Sequence, residues 1–399
     1  DRTSRGLGDV YKRQESLSLF AETKEIFQLH YPNFKNKTLV QKDLANTLKI
    51  IASKGRKGFY DGEIAEKISS EIKKNNGLIS KSDLKNYSPV WREPLISNYR
   101  DTEIITMGPP SSGGLHVIQM LNILENYDLK KIGHNSLEYI NLLTEVMKFA
   151  YADRSKYLGD PDFYDVPIKK ITSKKYANDI NKNIQIGKLT PVNEINPGKY
   201  MDGESHETTH FSVVDKTGNV ISMTYTLNST FGSKVVIEGT GILMNNEMDD
   251  FSAAPGIPNQ FNLLGAEANE IAPFKRPLSS MTPTIVLKDK ELFFTTGSPG
   301  GARIISAVLQ SIVNIIDFNM NLEDTTAAKR IHHQWYPDIL EYEFTLDNTI
   351  EKNLKKMGYK TESKLPLTCL QTIMFSDGMY YGYGDFRRVD ALASGNIND

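Results

Sequence analysis

The sequence predicts an α+β fold, with helices layered on antiparallel sheet. Three observations carry that expectation. Runs of strand formers come in pairs around tight turn signals, helix-period segments fall between the pairs, and the composition is that of an ordinary globular protein. Over 399 residues, 39% are hydrophobic, 24% charged and 10% aromatic, enough for two or three domains or one large one. Lys plus Arg number 47 against 49 Asp plus Glu, a formal charge of −2, so bulk charge recommends no nucleic acid as a partner. One cysteine, Cys369, excludes an internal disulfide framework and a cysteine-built zinc cluster.

The opening segment, DRTSRGLGDVYKRQ, starts with Asp1 and lacks the apolar core and cleavage pattern of a signal peptide. It also lacks the Ile/Asn/Lys texture that follows, so residues 1–14 read as a foreign segment or a linker, with the true start expected upstream. From Leu39, Val40, Leu44, Leu48 and Ile51 share a helical face, and Gly55 is the stop. Ile64, Ile68 and Ile72 mark a second helix, closed by Asn75-Asn76-Gly77. Residues 92–107 are rich in strand formers and break at Gly108-Pro109-Pro110-Ser111-Ser112-Gly113-Gly114, a turn that launches a helix from Leu115 to about Asn126. A long helix follows over Leu137 to Arg154. Between Lys156 and Glu207 the periodicity fades among Pro, Asn, Lys and Gly, which predicts an exposed, loosely ordered stretch and the best internal boundary.

After it the texture changes to hairpins. Phe211 to Val214 and Val220 to Tyr225 flank Asp215 to Asn219; Thr284 to Leu287 and Leu292 to Thr296 flank Lys288-Asp289-Lys290; Thr372 to Phe375 and Met379 to Tyr383 flank Asp377-Gly378. Helices over Gly301 to Ile316 and Leu322 to His332 separate them. The richest apolar run, Ile304 to Ile316, is broken by Ser306, Gln310, Ser311 and Asn314, so it reads as a buried helix and not a membrane span. No internal repeat is evident.

His206-Glu207-Thr208-Thr209-His210 matches the H-E-x-x-H of zinc peptidases letter for letter. That motif needs a helix, whereas Phe211-Ser212-Val213-Val214 reads as strand. Residues four apart on a strand are separated by roughly 13 Å, too far to share one zinc, so no metal is expected here. A different chemistry begins with Thr208. A threonine hydroxyl is a poor nucleophile without a base, and cutting the bond before it frees an α-amino group with a pKa of about 7.7 to 8.0. Thr208 stands where the loose stretch meets a strand, although Thr-Thr at a strand start is also plain β-propensity.

Several blocks carry a resemblance. Glu207 to Asp215, ETTHFSVVD, and Thr224 to Gly232, TYTLNSTFG, resemble the small-subunit start of gamma-glutamyltransferases. Gly241-Ile242-Leu243-Met244-Asn245-Asn246-Glu247-Met248-Asp249-Asp250-Phe251, Arg276 to Met281 and Gly297-Ser298-Pro299-Gly300-Gly301 follow in order; Pro109 to Gly114, Tyr151 to Arg154 and Gly159 to Phe163 match upstream. The resemblance implies a four-layer αββα N-terminal nucleophile hydrolase fold, incomplete at its N-terminus. It implies self-cleavage between Glu207 and Thr208, with residues 15–207 as the C-terminal part of a large subunit and 208–399 as the small catalytic subunit, both in one domain. Thr208 would take a γ-glutamyl group from glutathione or related γ-glutamyl compounds and pass it to water or to an amino acid or peptide, without a cofactor.

The same resemblance implies the site residues. Thr226 assists activation of Thr208, and Gly300 and Gly301 aim backbone N–H groups at the oxyanion, where each donor is typically worth about 3 to 4 kcal/mol. Ser279 and Ser280 suit the donor's α-carboxylate; Asn228, Glu247 and Asp250 suit its α-ammonium, whose charge would compensate a buried Asp250. Phe251 to Asn262, with Pro255 and Phe261, resembles a lid loop, and Phe261 stands where many bacterial members have tyrosine. His332-His333 reads as packing and capping at a helix end. An arginine that binds the α-carboxylate in family members has no counterpart in this sequence. Related acylases that prefer glutaryl groups lose the acid at the position of Asp250, and a silent, uncut chain is a further alternative. Export to the periplasm or cell exterior is expected from the family alone.

Overall fold

The computed structural model describes residues 14–27, 39–195, 208–252, 257, 259, 263–366, 368–388 and 391–395. They divide into two compact units, one of residues 1–92 with 227–246 and one of residues 93–226 with 247–399. In the smaller unit, helices Lys42–Lys54 and Glu63–Lys74 and the strand pair Val236–Ile237 and Ile242–Leu243 gather around Ile64, Ile68 and Ile237. The expected face of the first helix is displaced. Val40 precedes it and Leu48 is exposed, while Thr47 is buried and its hydroxyl donates to the Thr240 carbonyl. A polar residue with a good acceptor has taken the inward position that periodicity gave to leucine.

The larger unit starts with a hairpin, β1 (Leu95–Tyr99) and β2 (Thr102–Thr106), turned by Arg100 at φ 53°. Three helices follow: α1 (Gly113–Leu124), α2 (Leu137–Tyr157) and α3 (Lys174–Asn181). Then come the hairpin β3 (Thr209–Val214) and β4 (Val220–Tyr225), the hairpin β5 (Thr284–Lys288) and β6 (Glu291–Thr296), and helix α4 (Arg303–Ile316). Short strands β7 (Ile331–His332), β8 (Leu340–Glu343) and β9 (Thr361–Lys364) form a side sheet. The last hairpin is β10 (Gln371–Ser376) and β11 (Met379–Gly384).

The main sheet runs β1-β2-β5-β6-β10-β11, antiparallel throughout. Its register sets Ile104, Val286, Phe294 and Met374 in one row across four strands, and all four enter the core with Val117, Met120, Val146, Ile305 and Val308 of the helices. One step along the same face lie Thr106, Thr284, Thr296 and Thr372. They are buried, and their hydroxyls bond in pairs, Thr106 with Thr284 at 3.0 Å and Thr296 with Thr372 at 2.8 Å. That polar row marks the end of the sheet next to the candidate site. The architecture is α+β, as expected.

Two expectations fail. Residues 156–195 are not loose: helix α3, capped by Ser173, and the turn Ile168–Ile171 bury Ile171, Ala177, Ile180, Ile184 and Ile195. These apolar residues keep helical spacing, diluted by the Lys and Asn between them. The helix expected to His332 ends at Ala327, because Gln310 draws the chain at Ile331 out as strand, accepting from its N–H and donating to its carbonyl. His332 and His333 are accordingly buried strand and loop residues and cap no helix. His332 bonds Ser306 and Gln334, and His333 bonds Asp338.

Candidate active site

Thr208 extends β3 by one residue and is buried. The β3–β4 register pairs Thr209 with Tyr225, so the next position sets Thr208 opposite Thr226, and their hydroxyl oxygens are 3.5 Å apart. From the other side Arg388 Nη1 donates to the Thr208 carbonyl at 3.3 Å. Two residues on, His210 points to the buried face of the hairpin, where Thr224 and Ser212 hydroxyls occupy its ring nitrogens at 2.8 and 3.2 Å. Burial pushes this imidazole down to about 4, so at neutral pH it is an uncharged packing element. His206 and Glu207 lie outside the described residues.

Thr226 leads to the acids. Glu247 and Asp250 sit on a 3₁₀ turn, Glu247–Asp250, and the Glu247 carboxyl bonds both Asp250 and Thr226. Burial, then the neighbouring Glu247, raise the Asp250 carboxyl well above its ordinary range, against the pull of the Arg154 guanidinium. Burial likewise raises Glu247. Charge on two neighbouring, half-buried carboxyls is disfavoured by burial, a cost that a cationic ligand beside them would offset. Asn269 Nδ2 donates to the Asp250 carbonyl at 2.7 Å while its Oδ1 accepts from Leu278 N at 3.0 Å, tying the acidic turn to Ser279 and Ser280.

The glycines reach Thr208 indirectly. Gly300 (φ 138°) and Gly301 (φ 56°) adopt backbone conformations that disfavour side chains, and their carbonyls accept the N–H groups of Arg303 and Ile304 at the start of α4. The loop is held by Gly297, where an added Cβ would fall 2.1 Å from His210 Cε1. Thus Gly297 packs on the ring two residues beyond Thr208, and among the described residues no hydrogen bond joins Gly300 or Gly301 to Thr208. Asn228 belongs to the smaller unit, where at φ 71° its Nδ2 donates to the Asn246 carbonyl at 3.1 Å. Phe251 is buried beside Asp250; Pro255 and Phe261 of the expected lid lie outside the described residues.

A buried threonine at a strand start, hydroxyl to hydroxyl with a second threonine that a carboxyl then engages, is a plausible arrangement for an acyl-transfer nucleophile and a cationic acyl group. Against that geometry stand the comparisons with known proteins. The family model for Gamma-glutamyltranspeptidase matches residues 2–395. The chain belongs to the gamma-glutamyltranspeptidase family. This family member is 51% identical over 365 residues to the glutathione hydrolase proenzyme of Escherichia coli K12, covering 91% of the chain and 63% of that protein. It is 39% identical over 322 residues to the Acylase ACY 1 proenzyme of Pseudomonas sp. SE83, covering 81% of the chain and 55% of the acylase. Its structure is similar to that of cephalosporin acylase from Bacillus halodurans, with a TM-score of 0.77 and 26% identity over 90% of this chain and 63% of that one. The chain therefore spans less than two thirds of the length of these relatives.

Sequence reasoning missed four residues of this place: Ser112, Arg154, Asn269 and Arg388. Ser112 and Arg154 stood in family-like blocks without a role. The available signal for Arg154 was a charged residue on a helix whose neighbours Tyr151 and Ala152 are core residues.

Proposed function

We infer that this family member is a gamma-glutamyl hydrolase and transferase that cuts itself between Glu207 and Thr208. The observation that carries this reading is the chain of contacts from Thr208 through Thr226 and Glu247 to Asp250, a candidate nucleophile joined to two neighbouring carboxyls on which burial disfavours charge. After the cut, the new α-amino group of Thr208 takes the hydroxyl proton as the oxygen attacks the γ-carbonyl of the donor. Gly300 and Gly301 N–H groups meet the oxyanion; the protonated amine returns its proton to the leaving amine, leaving a γ-glutamyl ester on Thr208. Water or the amine of an amino acid or peptide then takes the acyl group. Glu247 and Asp250 receive the donor ammonium, and Ser279 and Ser280 its carboxylate. Glutathione and its conjugates fit this donor description, and no cofactor enters the chemistry.

Residues 15–207 and 208–399 are then parts of a large and a small subunit of one precursor. No helix among the described residues is long and apolar enough to cross a membrane, and a periplasmic or extracellular place belongs to this reading. Intact mass and N-terminal sequencing of the natural gene product test it: two fragments are expected, one starting at Thr208, and Thr208→Ala should leave one chain and no p-nitroaniline release from γ-glutamyl p-nitroanilide. The acylase relatives favour a second reading, an acylase of the same fold, for which a glutaryl group serves as the test donor. Asp250 opposes it, and faster release from glutaryl than from γ-glutamyl p-nitroanilide would decide for it.

A further inference from the structure

Arg154 lies in the last turn of α2, inside the protein. It is 4% exposed, and among the described residues its hydrogen bonds go to two serine hydroxyls and to no carboxylate: Nε donates to Ser112 Oγ at 2.9 Å and Nη2 to Ser280 Oγ at 3.1 Å. Burial lowers the guanidinium only to about 10, so it is a cation at neutral pH. A buried cation held by neutral partners alone is electrostatically unsatisfied, with Asp250 the anion that acts on it from beyond contact.

The two serines are oriented by what arginine cannot do. A guanidinium only donates, so each hydroxyl it engages must spend its own hydrogen elsewhere. Ser112 spends it on the Ser279 carbonyl at 2.7 Å, where its backbone N–H also bonds at 2.9 Å. Ser280 has no such acceptor among the described residues, and its O–H is left to donate to an incoming group. The rest of the Pro109-Pro110-Ser111-Ser112-Gly113-Gly114 turn locks the same segment: Ser279 N donates to the Pro110 carbonyl at 2.9 Å and Ser111 Oγ to the Met281 carbonyl at 2.6 Å. Gly113 allows the approach, since a Cβ there would lie 2.0 Å from Thr282 Oγ1 and 2.9 Å from the Ser280 carbonyl oxygen.

We propose that Arg154 is the positioning residue of a carboxylate subsite: through Ser112 and Ser280 it fixes the Ser280 O–H as an outward donor and supplies the positive field that a donor's carboxylate needs. This deepens the reading of Ser279 and Ser280 given above and rests on it. It also gives the family block Tyr151 to Arg154, and the proline-serine-glycine turn, a shared purpose.

Three p-nitroanilides separate this role from a structural one. The γ-glutamyl compound carries carboxylate and ammonium, the glutaryl compound carboxylate alone, and the 4-aminobutyryl compound ammonium alone. In the self-processed natural enzyme, Arg154→Met should lower kcat/KM for the two carboxylate donors by about 10-fold to 100-fold, chiefly through KM, and leave the third within about twofold. Where turnover is too slow to follow, the competitive Ki of the same compound is read instead. Arg154→Lys, which keeps the charge and loses the fork, should restore part of the loss. If the methionine variant does not fold, Ser112→Ala should give the same selective rise in KM. An equal loss on all three donors would make Arg154 a structural cation and overturn the proposal. Faster glutaryl than γ-glutamyl release by wild type would overturn the γ-glutamyl reading while leaving Arg154 testable, because both donors carry the carboxylate.

Discussion

On the proposed reading, Asp250 and Glu247 are acids on which burial makes charge costly and a bound cation offsets that cost. Burial raises both carboxyls, and their proximity raises Asp250 further, so in acid the pair holds protons that a cationic substrate must displace. KM for a γ-glutamyl donor should therefore fall as pH rises through the acid range, until the donor's own amino group begins to lose its charge. Asp250→Asn should flatten that limb and cost about 10-fold to 100-fold in kcat/KM, the range for a hydrogen bond to a charged group. A pH–rate series on both proteins checks it; an unchanged acid limb would separate Asp250 from ammonium binding. Asp153 carries a stability version of the same physics. Burial lifts its carboxyl from 3.8 to about 6, despite donation from Tyr176 and Gln119. Because the folded state holds this proton more tightly than the unfolded chain, stability is lost as pH rises from about 4 to about 6, by on the order of 3 kcal/mol. Asp153→Asn should remove that part of the slope in urea unfolding at a series of pH values.

Among elements, the loops at the site end of the main sheet are set by glycines with no room for a methyl group. Gly297 is the clearest case, since its missing side chain is where the His210 ring lies. Gly297→Ala must push the ring off Thr224 or move the loop that leads to Gly300 and Gly301. Overpacking of this kind costs about 1 to 3 kcal/mol, and on the proposed reading, in which the loop addresses the oxyanion and not the substrate's charged end, kcat should fall more than KM rises. Thermal unfolding and steady-state kinetics on the variant measure the two effects. The elements themselves were legible to the extent that their signals were local. The hairpins around Asp215 to Asn219, Lys288 to Lys290 and Asp377-Gly378 form where turn chemistry puts them. The residues from Lys156 to Ile195 were misread because a short amphipathic helix with alanine and isoleucine on its buried side has too little apolar weight against its lysines. The strand at Ile331–His332 was invisible for another reason: the bonds to Gln310 that draw it out reach 21 residues back, beyond the local pattern that suggested a helix. At the site, Thr208 and Thr226 follow from a hairpin register, whereas Arg154 beneath Ser280 is a contact across 126 residues.

At the scale of the whole molecule, the segment from Asp385 to Arg388 is fastened by charge. Arg387 bonds Glu343 at 2.7 Å and Asp385 at 3.1 Å, Arg330 bonds Asp385 at 2.9 Å, and all four side chains are almost wholly buried. Burial alone would raise the Asp385 carboxyl, but Arg330 and Arg387 overcome it and hold the group below its ordinary value. Asp385 also accepts from Leu370 N at 2.8 Å, so the cluster joins the segment after β11 to the residue before β10. The next residue, Arg388, donates to the Thr208 carbonyl. A change at Glu343 should thus reach the nucleophile some distance along the fold. Glu343→Gln leaves two buried arginines with one aspartate, and breaking a buried pair costs about 3 to 5 kcal/mol, or about 4 to 6 °C in melting temperature for a chain of this size. Because the pair is buried, added salt should change that loss little. The exposed pair Lys182–Asp179 is the control: Asp179→Asn should leave the melting temperature essentially unchanged. The decisive readout is the rate at which a fragment beginning at Thr208 appears in freshly folded protein. If Arg388 holds Thr208 for the cut, Glu343→Gln slows that rate at temperatures well below its melting point, while Asp179→Asn does not; equal rates in all three proteins would confine the cluster to stability.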